Sequence, residues 1–161
     1  MNTAIYPGSF DPITLGHLNI ILRAMHIFDK VVVCVMVNSK KQTMFSSSER
    51  VELISKVVRN YPNVYVDTFT GLLAEYAKKY DKAVIVKGLR EMSDFESEFQ
   101  MALINKKINP ALETLFLTAS GKYTYLSSTV VKEMSRYGAD ISEFVPSEII
   151  ADVEARARTR R

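Results

Sequence analysis

Short runs of β-branched residues alternate with helical stripes along the whole chain. "AIY", Ala4 to Tyr6, predicts a first short strand. From Leu15 the apolar residues Leu15, Leu18, Leu22, Met25 and Phe28 recur at intervals of three and four, which predicts one helical face with Thr14 as its N-cap. "KVVVCVMV" is apolar on both faces and suits a central parallel strand. "SSSERVELISKVVRN" opens with a capping box, Ser46 to Glu49, and continues with Leu53, Ile54, Val57 and Val58 on one side of a helix. "VYV" predicts a third strand, Leu72 to Tyr80 a helix, and "AVIV", Ala83 to Val86, a fourth strand. A second capping box, Ser93 to Glu96, predicts a long helix to about Ile108, ahead of Asn109-Pro110. "TLFL" is the fifth strand. A helix from Ser128 to Tyr137 follows, closed by Gly138, and a last one starts near Ser147 after Pro146.

Five strands alternating with helices predict an α/β fold, a doubly wound parallel sheet in a single domain over residues 1–161, because each right-handed crossover needs a helix to return the chain. Ligands in such sheets bind outside the carboxyl ends of the strands, where strand order reverses. The segments that follow strands are therefore the ones to inspect for chemistry.

Composition narrows the class. The longest apolar run, Val31 to Val37, is too short to cross a bilayer, which predicts a soluble chain with no membrane partner. No basic stretch leads into an apolar one at the start of the sequence, so the cytoplasm is the expected compartment. Cys34 sits inside the apolar run and reads as a small core residue; one cysteine makes no disulfide within the chain and no zinc cluster. The net charge is +3, but Arg156, Arg158, Arg160 and Arg161 fall in the last six residues, and without them 17 basic residues face 18 acidic ones. No nucleic-acid partner is expected, and the tail reads most simply as a solvated helix end.

Three strand-end segments carry candidate chemistry. "PGSFDPITLGH" combines a glycine and a serine, which allow close backbone approach, with a helix start that presents unpaired N–H groups to an anion. His17 falls in the first turn of that helix, where its ring can face the same anion; a capping turn with a solvated histidine is the plainer reading. His26, late in the same helix, reads as a surface residue. "KGLREMSDFESEF" places Lys87 and Arg90 around a Gly-Leu turn at the rim of the sheet, a pair suited to polyphosphate. Asp94 and Glu96 are explained by the helix dipole, while Glu98 is placed to orient Arg90 or to accept from a sugar. "TASGKYTYLSSTVVKE" sets Ser127, Ser128 and Thr129 at another helix start. Lys40 and Lys41, after the second strand, read as a mobile cation pair. No segment carries a Ser-His-Asp relay or a covalent nucleophile with its base. Chemistry by positioning and charge remains, and phosphoryl or nucleotidyl transfer is the class in which that suffices.

Taken together, "AIYPGSFDPITLGH", "KGLREMSDFESEFQMALIN" and "SSTVVKE" resemble the bacterial phosphopantetheine adenylyltransferases over nearly the whole chain. The "TLGH" of the first segment alone is the signature of the wider nucleotidyltransferase superfamily and its Rossmann-like fold. The resemblance implies reversible transfer of the adenylyl group of ATP to 4′-phosphopantetheine, giving dephospho-coenzyme A and pyrophosphate, by in-line attack without a covalent intermediate. On it, His17 stabilises the transition state, with Lys41 and Arg90 as its catalytic companions. Gly8, Ser9, Phe10, Gly88, Glu98, Tyr123, Thr124, Tyr125, Leu126, Ser127, Ser128 and Thr129 complete the ATP site. Ser9, Lys41 and Lys87 meet the acceptor phosphate, while Leu72, Leu73, Asn105 and Glu133 line the pantetheine arm. Mg²⁺ arrives on the phosphates of ATP rather than on protein side chains. A homohexamer inhibited by coenzyme A is also implied.

The chain departs from the family pattern in places. Lys87 stands where arginine is frequent and Ser97 where tyrosine is. "NSKKQTMF" lacks the usual prolines; Lys41, four residues before Phe45, is taken as the loop lysine, with Lys40 as the alternative. Cytidylyltransferases and nicotinamide-mononucleotide adenylyltransferases, which show HxGH, are the competing enzyme reading. A nucleotide-binding regulatory module without turnover is the competing reading from another class.

Overall fold

In the computed structural model, which describes residues 1–159 apart from the side chains of Met92 and Ser93, five strands form one parallel sheet. They are β1 (Thr3–Gly8), β2 (Lys30–Met36), β3 (Val64–Phe69), β4 (Ala83–Leu89) and β5 (Glu113–Thr118), in the order β3-β2-β1-β4-β5. The helices are α1 (Leu15–Ala24), α2 (Ser47–Val58), α3 (Leu73–Tyr76), α4 (Met92–Ile108), α5 (Ser128–Arg136) and α6 (Ile150–Thr159). Successive strand residues face opposite sides, and the two sides bury different helices. Ala4, Tyr6, Val31, Val33 and Val86 pack under α1, α2, α5 and α6, whereas Ile5, Val32, Cys34 and Ile85 pack on the α3 side with Leu112. The doubly wound architecture expected from the alternation is the one present. No helix among the described residues is long and apolar enough to cross a membrane.

Several local expectations change. The first strand runs on to Gly8, with Pro7 opposite Cys34 and Gly8 opposite Val35 of β2. Pro7 is tolerated because pairing with β4 has already stopped at Ile5 opposite Ile85, so its missing N–H is not called for on that side. Lys87, Gly88 and Leu89 are likewise the end of β4, paired with Phe116, Leu117 and Thr118, and not a turn. The segment expected to be a helix from Leu72 to Tyr80 is a single α turn followed by the 3₁₀ turn Ala77–Lys79. Tyr76 donates to Asp67 (2.7 Å) of β3 and pins that short connection. Helix α4 begins at Met92 with Glu91 in the N-cap position, ahead of the predicted box at Ser93. The last helix is entered through the 3₁₀ turn Ser147–Ile149.

The basic tail is not a uniformly solvated helix end. Arg156 folds back on the body, its guanidinium paired with Glu49 and donating to the Met44 carbonyl (2.8 Å). Arg158 is exposed, and Arg160 and Arg161 lie outside the described residues.

One buried carboxylate ties the carboxyl edge of the sheet together. Asp11, 3% exposed in the loop after β1, accepts the backbone amides of Met44 and Phe45, both at 2.8 Å, and pairs with Lys132 of α5 at 3.2 Å. Beside it the buried Arg50 of α2 donates to the Ser9 carbonyl (2.7 Å). Asp11→Ala strands two buried amides and an ammonium group. It should lower the unfolding free energy by about 3 kcal/mol or more, read as a fall in urea midpoint at constant slope. A loss below about 1 kcal/mol would show these contacts to be dispensable.

Candidate active site

Strand β1 pairs with β4 only from Thr3–Ile5, opposite Ala83–Ile85, yet it follows β2 as far as Gly8, and β4 follows β5 as far as Leu89. The two central strands therefore part at their carboxyl ends, at the position where strand order reverses. A cavity opens on each side of the parting. The one beneath α1, about 180 Å³, is lined by Tyr6, Thr14, His17, Gly88, Arg90, Tyr123, Leu126, Ser127 and Ser128. The one beneath α4, about 340 Å³ and mostly apolar, meets Gly8, Ser9, Leu72, Leu73, Lys87, Glu98 and Asn105. Lys87 and Gly88, consecutive in β4, serve opposite sides.

His17 does two jobs at the start of α1. Thr14 caps the helix, its hydroxyl accepting the His17 amide (3.2 Å), while the Thr14 amide donates back to His17 Nδ1 (3.0 Å). This is a capping box in which a histidine replaces the usual glutamate. An Nδ1 that accepts leaves the ring proton on Nε2. Phe10 holds the ring edge-on at 4.9 Å and Tyr6 at 6.3 Å. Phe10 itself sits at φ 48°, and a Cβ on Gly8 would lie 3.0 Å from its ring, so a glycine there makes room for the residue that braces His17. Burial, followed by the positive charges of Arg90 and Lys87, lowers the imidazole from 6.5 to about 4. The ring is neutral at pH 7 and is a hydrogen-bond donor at Nε2.

Cations surround it. Arg90 donates to the Leu126 carbonyl (3.1 Å) and pairs through Nε with Asp94 (3.4 Å); Lys87 pairs with Glu98 (3.2 Å). The acidic partners are thus the reverse of expectation, since Glu98 orients Lys87 while Asp94, read as a dipole residue only, holds Arg90. Ser127 caps α5 by accepting the Val130 amide, and Ser128 donates to the Pro12 carbonyl (2.8 Å), which sets the N-terminus of α5 beside the loop after β1.

The structure brings His17, Gly88, Arg90, Tyr123, Leu126, Ser127 and Ser128 together in the first cavity. Gly8, Ser9, Leu72, Leu73, Lys87, Glu98 and Asn105 gather in the second. Other predicted residues lie apart. Lys41 is exposed on the loop after β2, and Thr124 donates to the Gly121 carbonyl (3.0 Å) within its own turn. Tyr125 is exposed and packs on Phe144; Thr129 and Glu133 share a shallow depression on α5 with Lys132. Phe10 is buried beneath His17. Residues the sequence did not single out include Asp11, Arg50 and Lys132; "FDP" in the first loop was the one available hint.

Residues 5–134 match the model of the family Cytidylyltransferase-like. The whole fold superposes on the crystal structure of "a Putative Nicotinate-nucleotide Adenylyltransferase" from Vibrio parahaemolyticus, with TM-score 0.70 at 21% identity, over 97% of this chain and 96% of that one. Fold and site together define a nucleotidyltransferase. The chain is 57% identical to the phosphopantetheine adenylyltransferase of Caldanaerobacter subterraneus subsp. tengcongensis, with 94% of each covered. It is 51% identical to that of Clostridium botulinum (strain 657 / Type Ba4), over 100% of this chain and 98% of the relative. It belongs to the phosphopantetheine adenylyltransferase family.

The depressed histidine gives a direct test. Followed by NMR, the His17 ring should titrate near pH 4 rather than 6.5. The unfolded chain then binds the proton more readily than the folded one between these values. The stability contribution of the neutral ring, complete above pH 6.5, is lost as pH falls toward 4. A ring that titrates at its ordinary value would overturn the assignment.

Proposed function

We propose that the chain transfers the adenylyl group of ATP to 4′-phosphopantetheine, giving dephospho-coenzyme A and pyrophosphate. A phosphate oxygen of the acceptor attacks the α-phosphorus of ATP in line; that P–O bond forms as the bond to the β-phosphate oxygen breaks, and pyrophosphate leaves with its electron pair. No bond to the enzyme is made. One phosphoanhydride is exchanged for another, which supports reversibility.

The observation that carries this reading is the neutral His17, held as an Nε2 donor at the parting of β1 and β4 with Arg90 and Lys87 on either side. Charge builds on the nonbridging oxygens of the α-phosphate in the transition state, and a preorganised donor stabilises it there more than in the ground state. Arg90 and the N-terminus of α5 serve the ATP phosphates, with Tyr123, Leu126, Ser127, Ser128 and Gly88 as the surrounding shell and Phe10 bracing His17 from below. Ser9 and Lys87 serve the acceptor phosphate at the mouth of the apolar cavity, where Leu72, Leu73 and Asn105 suit the pantetheine arm. Lys41 reaches both substrates from its loop. Mg²⁺ would arrive on the phosphates of ATP, where it would offset their charge.

A homohexamer would cover Phe99 and Leu103, which α4 leaves exposed outside the apolar cavity. Coenzyme A, carrying the same pantetheine arm, would compete for the apolar cavity. The cytoplasm is the compartment that goes with this role.

Pyrophosphate release from Mg-ATP tests the reaction. It should require 4′-phosphopantetheine and fail with nicotinamide mononucleotide or without acceptor. Turnover with the mononucleotide would overturn the substrate, and ATP binding without turnover on any acceptor would mark a regulatory module. His17→Ala should lower kcat by about 10²–10³-fold while ATP affinity stays within about tenfold. Equal losses of both would make His17 a binding residue.

A further inference from the structure

The loop that carries Lys41 leaves β2 through Val37, whose amide donates to the Phe69 carbonyl (3.0 Å), and is held at its exit in an unusual way. Near its start, the Asn38 side chain accepts the Lys40 amide (3.0 Å) and the Asn38 carbonyl accepts the Lys41 amide (3.1 Å), contacts that shape the loop without tying it to the body. Lys40, Lys41 and Gln42 are exposed. The tie comes at the exit, Met44 to Ser46. Asp11 takes the Met44 and Phe45 amides from the side of the β1 loop. From the other side Arg156 of α6 donates through Nη1 to the Met44 carbonyl (2.8 Å) and to Glu49 Oε2 (3.2 Å), and through Nη2 to Glu49 Oε1. Its guanidinium lies 4.7 Å from the centre of the Phe45 ring. Glu49 is the acid of the α2 capping box and accepts the Ser46 amide (2.7 Å).

Met44 is thus gripped at its N–H by the first loop of the chain and at its C=O by the last helix. A single guanidinium fork joins the Met44 carbonyl, the Phe45 ring and the α2 cap, which an ammonium point charge could not do at once. Hydrogen bonding to Arg156 draws the Glu49 carboxyl down to about 2, so the pair keeps its charges through the neutral range.

We propose that Arg156 is a positioning residue for adenylyl transfer: by fixing the Met44 carbonyl and the Phe45 ring it sets where Lys41, three residues upstream, can reach. Three residues of extended chain span about 10 Å at most, so displacement of the anchor passes directly to the lysine. This role rests on the reading that Lys41 acts on the substrates. It makes α6 part of the catalytic geometry although α6 lines neither cavity of the site.

The test is a double-mutant cycle on the full chain. Arg156→Met and Arg156→Lys, the second keeping the charge without the fork, should each lower kcat about tenfold and leave the KM for ATP within about twofold. Amide exchange should quicken at 38–45 and stay unchanged in β1, which also shows the variants to be folded. In a Lys41→Ala background Arg156→Met should cost nothing further. The same fold loss in both backgrounds, unchanged kcat in the single variants, or unaltered exchange in the loop would overturn the proposal while leaving Lys41 in place. Full turnover by Lys41→Ala would instead remove Lys41 from the reaction and the role of Arg156 with it.

Discussion

A carboxylate taken out of water must have its lone pairs answered, and the donors that answer Asp11 come from stretches of chain far apart in sequence. Met44 and Phe45 end the loop after β2, Lys132 lies in α5, and Asp11 itself belongs to the loop after β1. Three strand-end segments are thereby fixed relative to one another at the edge where the sheet opens. Removing any one donor leaves the others facing an uncompensated charge, so the arrangement is held as a unit. Arg50, buried alongside and bonded to the Ser9 carbonyl, adds α2 to the same set.

The site owes its place to the sheet and its chemistry to a helix cap. Parallel pairing gives β1 two neighbours, and the return of the chain to opposite sides makes β1 and β4 diverge. At that divergence the first helix has orphan N–H groups to satisfy. Thr14 satisfies one with its hydroxyl, and its own amide is taken by the His17 ring, which fixes the tautomer without any carboxylate partner. A carboxylate orienting the ring would raise its proton affinity. Burial, with the charges of Arg90 and Lys87 adding to it, does the opposite, and the ring remains a neutral donor.

Periodicity made the sheet legible because strands and helices are local objects: the runs at Val31 and Ala83, the stripe from Leu15 and the Thr14 and Ser46 caps were all readable from neighbours within a few residues. What escaped depends on partners far along the chain. The extension of β1 to Gly8 is set by β2, and the reading of Lys87 to Leu89 as strand by β5. Asp94 and Glu98 are one helical turn apart, and only the path of β4 decides which of Arg90 and Lys87 each one meets. Arg156 looked like part of a solvated tail because its acceptor and its ring partner lie more than a hundred residues earlier. The motif residues do gather at one edge of the sheet. The split of these residues between two cavities required the fold, because alternate residues of one strand serve opposite sides.

Lys87, Arg90 and Lys132 each stand against an acid, yet the pairs are not equivalent. Lys87–Glu98 and Arg90–Asp94 are partly exposed, with side chains 25–40% accessible, whereas Asp11 is nearly inaccessible. Partly exposed ion pairs contribute about 0–1 kcal/mol, so on the proposed reading a polyphosphate that offers more charge and more acceptor oxygens would displace the carboxylate at little cost. Until then the carboxylates hold Lys87 and Arg90 near the positions they need, which limits the side-chain ordering that binding must supply. Lys132 cannot be exchanged in this way, since releasing it would leave Asp11 buried with only its two amides. Burial therefore separates the cations that a substrate could draw away from their acids from the one that keeps the frame.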